Sequence, residues 1–151
     1  MRIFVIALLA AAGSLIATVG DQPASAATWR DSRNGVIWMR CTAGHAWQRG
    51  CTGEAMQMEW MTAENYCSQQ RLAGRKWRLP RYHELLTIVD IARRNPAIDT
   101  QNFPNTLPGR YWTADTDRDD NTSAWYVDFE YGFTGIRDKY SLSFVRCVAA
   151  D

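Results

Sequence analysis

Apolar and polar residues recur along this chain with two different periods, and the places where the period changes mark its elements. After the turn dipeptide Asn34-Gly35 the run Val36-Ile37-Trp38-Met39 reads as a strand extending to Cys41. Met56, Met58 and Trp60 alternate with Gln57 and Glu59, the two-residue period of a short second strand. The period then lengthens. Ala63, Tyr66 and Cys67 fit one helical face behind Thr62, which suits an N-cap, and Gly74 suits a terminator. Pro80 holds its own φ and keeps Leu79 out of the α region, so Trp77 to Leu79 are extended. A second helix is predicted from Arg81 to Arg94, with Leu85, Leu86, Val89 and Ala92 at helical spacing. Glu84 stands where the acid of a capping box reaches back. Arg93 and Arg94 fall at the end the helix dipole favours, and Asn95-Pro96 stops the helix.

Residues 97–110 are rich in proline and asparagine and read as an ordered loop before a strand at Tyr111 to Ala114. Trp125, Val127 and Phe129 alternate with Tyr126, Asp128 and Glu130, which predicts a half-buried strand turning at Tyr131-Gly132 into Phe133 to Arg137. Leu142 to Val148 is expected to close the sheet. Two helices packed on a twisted, mainly antiparallel sheet with long loops make an α+β domain.

The first residues bear on location. Arg2 supplies a positive start, residues 3–19 an apolar stretch, and Ala24-Ser25-Ala26 a small-residue cleavage site, so residues 1–26 read as a signal peptide and 27–151 as a single domain, periplasmic or secreted. No other apolar run is long enough for a bilayer, so no membrane insertion is expected after cleavage. The chain has 17 Lys+Arg and 16 Asp+Glu, a formal net charge of +1, and the leader carries one of each sign, Arg2 and Asp21. That near-balance gives no reason to expect nucleic acid as partner. All four cysteines lie in the exported part, where an even count reads as disulfides. Three pairings exist. Cys41 and Cys51 flank the short Gly44 to Gly50 loop, which favours bonding them together. Zinc is disfavoured, since there is no C-x-x-C and only His45 and His83 could assist.

Trp77-Arg78-Leu79-Pro80, Gly35-Val36-Ile37-Trp38, Cys41-Thr42-Ala43-Gly44-His45-Ala46-Trp47, Phe103-Pro104-Asn105-Thr106, Trp112, Trp125 to Phe129 and Val145-Arg146-Cys147-Val148 occur in an order and spacing that carry a resemblance. The chain resembles the C-terminal domain family of the Legionella collagen-like adhesin, from about Asp31 to Val148. That resemblance implies a C-type lectin-like fold and, with it, a bond between Cys67 and Cys147, tying the first helix to the last strand. It also implies an exported, non-catalytic binding module, in a family whose named adhesin is associated with glycosaminoglycans. The expected partner is a glycan or polyanion; an envelope protein bound by a structural or assembly subunit is the alternative. Arg81 departs from the pattern, standing where the family often has a small hydroxyl or amide cap.

Seven tryptophans invite sugar stacking. Trp38, Trp60, Trp77, Trp112 and Trp125 sit in strand or strand-end patterns, for which core packing is the expected role. Trp47, with Arg49 close by, lies inside the Cys41 to Cys51 loop and is a candidate contact, or else plugs its own loop. Asp115, Asp117, Asp119 and Asn121 place hard oxygen ligands on one loop, the set calcium would need, although no cofactor is required by the reading. The loop is not an EF-hand: its sixth position is Asp120 rather than Gly and its twelfth is Tyr126 rather than Glu. The Glu-Pro-Asn and Trp-Asn-Asp elements of calcium-dependent lectins are absent too. A solvated acidic turn is the plainer reading.

Arg71, Arg75 and Lys76 head the densest basic run, suited to sulfated or phosphorylated chains. Arg78 and Arg81 continue it, Arg78 with an expected structural role. For catalysis the chain offers little. The same broad fold includes the formylglycine-generating enzymes, whose oxidase chemistry needs a copper-binding cysteine pair, and no such pair is evident. His45 and His83 lack any nucleophile motif such as G-x-S-x-G, and nothing places Glu84 with Asp128 as acid and base.

Overall fold

The computed structural model describes residues 24–151; the expected leader lies outside the described residues except for its last three positions. After a 3-10 turn, Ala24–Ala27, the chain forms β1 (Thr28–Asp31) and β2 (Val36–Met39), joined by a turn in which the Asp31 carboxylate accepts from the backbone of Arg33 and Asn34 and from the Asn34 amide. Two-residue ladders follow at β3 (Ala46–Trp47) and β4 (Cys51–Thr52), then β5 (Gln57–Met58), α1 (Trp60–Gln69) and α2 (Tyr82–Leu86). The C-terminal half supplies β6 (Arg110–Thr116), β7 (Ser123–Asp128), β8 (Phe133–Asp138), β9 (Ser143–Phe144) and β10 (Val148–Ala150).

These strands make three sheets, ordered β1-β2-β10, β3-β4 and β5-β9-β6-β7-β8, antiparallel throughout except for β6 against β9. The architecture is α+β, with disulfides Cys41–Cys51 and Cys67–Cys147. Apolar residues divide into two cores. Ile37, Met39, Trp112, Val145 and Ala149 join one with α1, while Val36, Trp38, Tyr111, Phe144 and Val148 join the other with Leu85, Ile98 and Phe103. Every residue of β2 is buried because it presents one face to each core, which explains its unbroken apolar run.

Several expected elements differ, and the first helix ends at Gln69, short of the Gly74 expected to terminate it, which instead closes a separate 3-10 turn at Leu72–Gly74. The first helix starts at Trp60 rather than behind Thr62. Trp60 is drawn inward: its indole donates to the Thr113 carbonyl (2.8 Å), its backbone N–H to the Lys139 carbonyl, and the Lys139 ammonium lies 4.2 Å from its ring centroid. The strand predicted through Met56, Met58 and Trp60 therefore shrinks to Gln57–Met58. The second helix is one turn and a little more, not Arg81 to Arg94. The Thr87 hydroxyl back-bonds to the Glu84 carbonyl at 2.6 Å, and Asp90 accepts from the Ala92 N–H and the Arg93 guanidinium. Such local side-chain bonds offer the backbone an alternative to continued helix. Finally, Leu142 to Val148 is two strands in different sheets, separated at residues 145–147.

The capping contact predicted at α2 is present. The Glu84 carboxylate accepts from the Arg81 N–H at 2.7 Å and from Nη2 and Nη1 of Arg78, at 2.7 and 2.8 Å. Burial opposes ionisation of Glu84, but the hydrogen bonds from Arg78 and the Arg81 N–H, with the charges of Arg78 and His83, outweigh it and hold the carboxyl below its ordinary value. A depressed carboxylate stabilises the fold above its unfolded value near 4.5 and withdraws that support as pH falls through the folded value. Glu84→Gln is accordingly expected to lose about 1 to 2 kcal/mol at neutral pH, and its deficit against the parent should narrow below pH ~4.5 in urea titrations at several pH values. A deficit constant with pH would refute the ionic role of Glu84.

Candidate ligand-binding surface

The residues expected to bind fall at three separate places. The first is the Cys41–Cys51 loop, whose Cα atoms stand 5.4 Å apart at the bridge. Gly44 adopts φ +92°, and a Cβ there would lie 2.4 Å from the Glu54 carbonyl oxygen, so the loop closes against its own neighbour only through glycine. Trp47 is half-buried with the Arg40 guanidinium 4.4 Å from its ring centroid. It lines a small cavity of about 180 Å³ with His45, Met39, Tyr66 and Leu72. The Trp47 indole nitrogen and His45 Nδ1 are both shielded without a hydrogen-bond partner. Burial, with the charge of Arg146 second, lowers the His45 pKa and favours neutral imidazole. Trp47 thus packs into its own loop, while Arg49 is exposed beside it at φ +60°.

The second place is the acidic turn. Asp115 does not stand free: its carboxylate accepts the Tyr82 N–H at 2.6 Å and pairs with Arg81 Nε at 3.1 Å. It supplies from β6 the cap that Arg81 cannot supply from within the helix, so a residue read as a loop ligand serves the start of α2. Asp120 organises the turn through bonds from the Thr122 hydroxyl and N–H and from the Ser123 hydroxyl, which keep its carboxyl below the ordinary value. Asp117 and Asp119 line a groove with Tyr82, His83, Arg118 and Trp125; Asn121 lines another, with Trp60 and Tyr140. Among the described residues no three His, Cys, Asp or Glu side chains gather as a metal-binding group.

Trp125 is also a correction to the expected alternation. The β6/β7 register runs Trp112 to Tyr126 and then Thr116 to Ala124, so residues 113–115 bulge opposite Trp125. Ala124, Val127 and Phe129 are buried, while Trp125 is half-exposed against Tyr82, ring centroids 5.3 Å apart at 61°. Trp38, Trp60, Trp77 and Trp112 are core residues as expected.

The third place gathers the basic run. Arg71, Arg75 and Lys76 line a groove of about 610 Å³ with Ser68, Gly74 and Trp77, and among the described residues no acidic side chain lines it. Among the described residues Arg71 donates only to the carbonyls of Ser68 and Gln70, and Arg75 donates to the Ala150 carbonyl and forms a long ion pair with Asp151 at 3.9 Å. Arg78 is held by Glu84 and Arg81 by Asp115, so neither joins that groove as an unpaired cation.

Sequence reasoning passed over Arg146 as anything but part of a pattern. It is fully buried, and its guanidinium donates to the carbonyls of Met39 (2.9 Å) and Arg40 and to the hydroxyls of Thr42 (3.2 Å) and Thr106 (2.7 Å), above the Phe103 ring at 4.9 Å. No carboxylate pairs with it among the described residues. Burial presses its pKa down to about 10, so it remains a cation at neutral pH. Arginine's five fixed donors suit a junction of carbonyls and hydroxyls that lysine could not span.

Fold and bridges together define a disulfide-stapled α+β domain of the kind made for an oxidising compartment. The family model for the Lcl C-terminal domain matches residues 27–149, and the chain belongs to that family. It is on these grounds an adhesin-associated, extracytoplasmic module. Comparison with curated proteins finds no match. No helix among the described residues is long and apolar enough to cross a membrane.

Proposed function

We propose that this protein is a non-catalytic recognition module, periplasmic or secreted after removal of its leader, that binds anionic glycans or similar polyanions through the groove of Arg71, Arg75 and Lys76. The observation that carries the reading is the convergence of three cations on one groove that, among the described residues, no acid lines: Arg75 alone has an acid near, Asp151 at 3.9 Å, while the neighbouring Arg78 and Arg81 are closely paired with Glu84 and Asp115. Exposed cations of this kind attract a polyanion by summed, screened charge. The pairing of all four cysteines supports a binding role over oxidase chemistry of the formylglycine-generating type, which would need reactive thiols.

Binding of heparin and dextran sulfate to the oxidised protein is expected to weaken steeply with salt. Neutralising Arg71, Arg75 and Lys76 together should reduce affinity about tenfold or more at low salt. A chelator arm tests whether calcium contributes. Salt-independent binding, or full affinity in the triple variant, would rule this groove out.

A specific observation favours a second reading, an assembly subunit that binds an envelope protein. β8 is the edge of the five-stranded sheet, and Tyr131, Phe133, Ile136, Tyr140 and Leu142 are exposed on it and its flanks. An apolar edge without a covering element is a ready surface for a partner strand. That reading predicts a stable co-purifying protein whose retention is lost in Phe133→Lys.

A further inference from the structure

We propose that the groove between the start of α2 and the acidic turn is a second binding site, for an uncharged pyranose sugar, with Trp125 and Tyr82 as its wall and Asp117 and Asp119 as its hydroxyl acceptors. The site is independent of the basic groove, sharing no residue with it.

The groove has about 470 Å³ of space and is lined by Tyr82, His83, residues 115–119 and Trp125. That is within the range of small-ligand sites. Two features make it more than a solvated turn. First, the bulge at residues 113–115 leaves a tryptophan only half-buried where simple alternation would bury it fully, with Ala124 taking the core position. Bulges that re-aim a side chain occur beside functional sites. Second, the polar groups of the groove are not consumed by the fold. Among the described residues, the Trp125 indole N–H, the Tyr82 hydroxyl and the His83 ring make no hydrogen bond within the protein; Trp125 and Tyr82 are engaged there only through backbone atoms. Asp117 accepts no more than a long 3.5 Å contact from the Asp119 N–H. Asp115, by contrast, is occupied by Arg81 and Tyr82 and serves to hold the wall in place.

The chemistry then selects the ligand. A quaternary ammonium or other cation would need aromatic rings around it. Here Tyr82 and Trp125 pack edge-to-face on each other at 5.3 Å, which makes one wall and leaves no cage between them. A polyanion would meet Asp117 and Asp119. A neutral sugar ring meets both demands of the groove, an apolar face for the wall and hydroxyls that donate to carboxylates and accept from the indole N–H, His83 and Arg118.

The test is an NMR titration of the oxidised protein with the methyl glycosides of glucose, galactose, mannose and N-acetylglucosamine, and with tri-N-acetylglucosamine, at high salt to silence the basic groove. At least one of these sugars is expected to shift the Trp125 indole N–H resonance with about millimolar affinity. Trp125→Ala and the double variant Asp117→Asn/Asp119→Asn should each weaken binding about tenfold or more. Asp119 is exposed and Asp117 half-buried with one long hydrogen bond, which allows the second variant to remain folded if the first does not. The triple neutralisation of Arg71, Arg75 and Lys76 should leave the shift unchanged, so failure of the polyanion reading and failure of this one are separable. No movement of the Trp125 resonance with any of the five sugars, or binding unaffected in the Asp variant, overturns the proposal.

Discussion

Replacing Cys67 and Cys147 together by alanine is expected to lower the unfolding free energy by about 4 to 5 kcal/mol, enough to leave little folded protein at growth temperature. The bond joins α1 to the segment ahead of β10 across a sequence separation of 80 residues, and both cysteines are completely buried in the core with Ala63, Trp77 and Val145. In the chain-entropy model, releasing a loop of that length frees far more of the unfolded ensemble than releasing the separation of 10 at Cys41–Cys51, for which about 2 to 3 kcal/mol is expected. The comparison of the two double variants by urea unfolding is the informative measurement. A Cys41/Cys51 variant as damaged as the Cys67/Cys147 variant would refute the loop-length account.

Arg146→Met is expected to cost about 3 kcal/mol or more, although methionine is apolar and of similar length. Removing the guanidinium strands the Met39 and Arg40 carbonyls and takes one partner from each of the Thr42 and Thr106 hydroxyls, and an unsatisfied buried polar group costs about 1 to 3 kcal/mol. Thr42 keeps a partner in the Tyr111 hydroxyl (3.1 Å) and Thr106 keeps the Phe103 carbonyl (2.8 Å), so the loss falls mainly on the two carbonyls. Arg146→Lys should recover only part of it, because one ammonium cannot reach both pairs of acceptors. Urea unfolding of both variants checks this. Stability within about 1 kcal/mol of the parent for Arg146→Met would show that the carbonyls find water and that the arginine is not the junction described.

Much of the architecture follows from local pattern. The Asn34-Gly35 turn, the apolar run of β2, the Glu84 capping acid and the β7–β8 hairpin are each encoded within a few residues, through turn chemistry, capping and two-residue alternation. The Cys41–Cys51 pair is legible for the same reason, its members being close in sequence. Where long-range contacts compete with local preference, local reading fails. Trp60 abandons its strand for a helix start because Thr113 and Lys139 hold it there, and Leu142 to Val148 divides because its halves find partners in two different sheets.

For the binding surface, the chain alone supplies the basic run and the acidic turn, since clustered charge is visible in one dimension. It does not distinguish a cation that is free from one that is paired. Arg71, Arg75 and Lys76 meet on a groove that no acid lines among the described residues, with only the distant Asp151 near Arg75, whereas Arg78 and Arg81 find Glu84 and Asp115, in the latter case from a strand far along the chain. Nor does it show that Asp115 caps α2, that a bulge turns Trp125 outward, or that Arg146 ties three loops together. Those outcomes depend on sheet register and on which polar groups burial leaves without water, and both are properties of the packed chain as a whole.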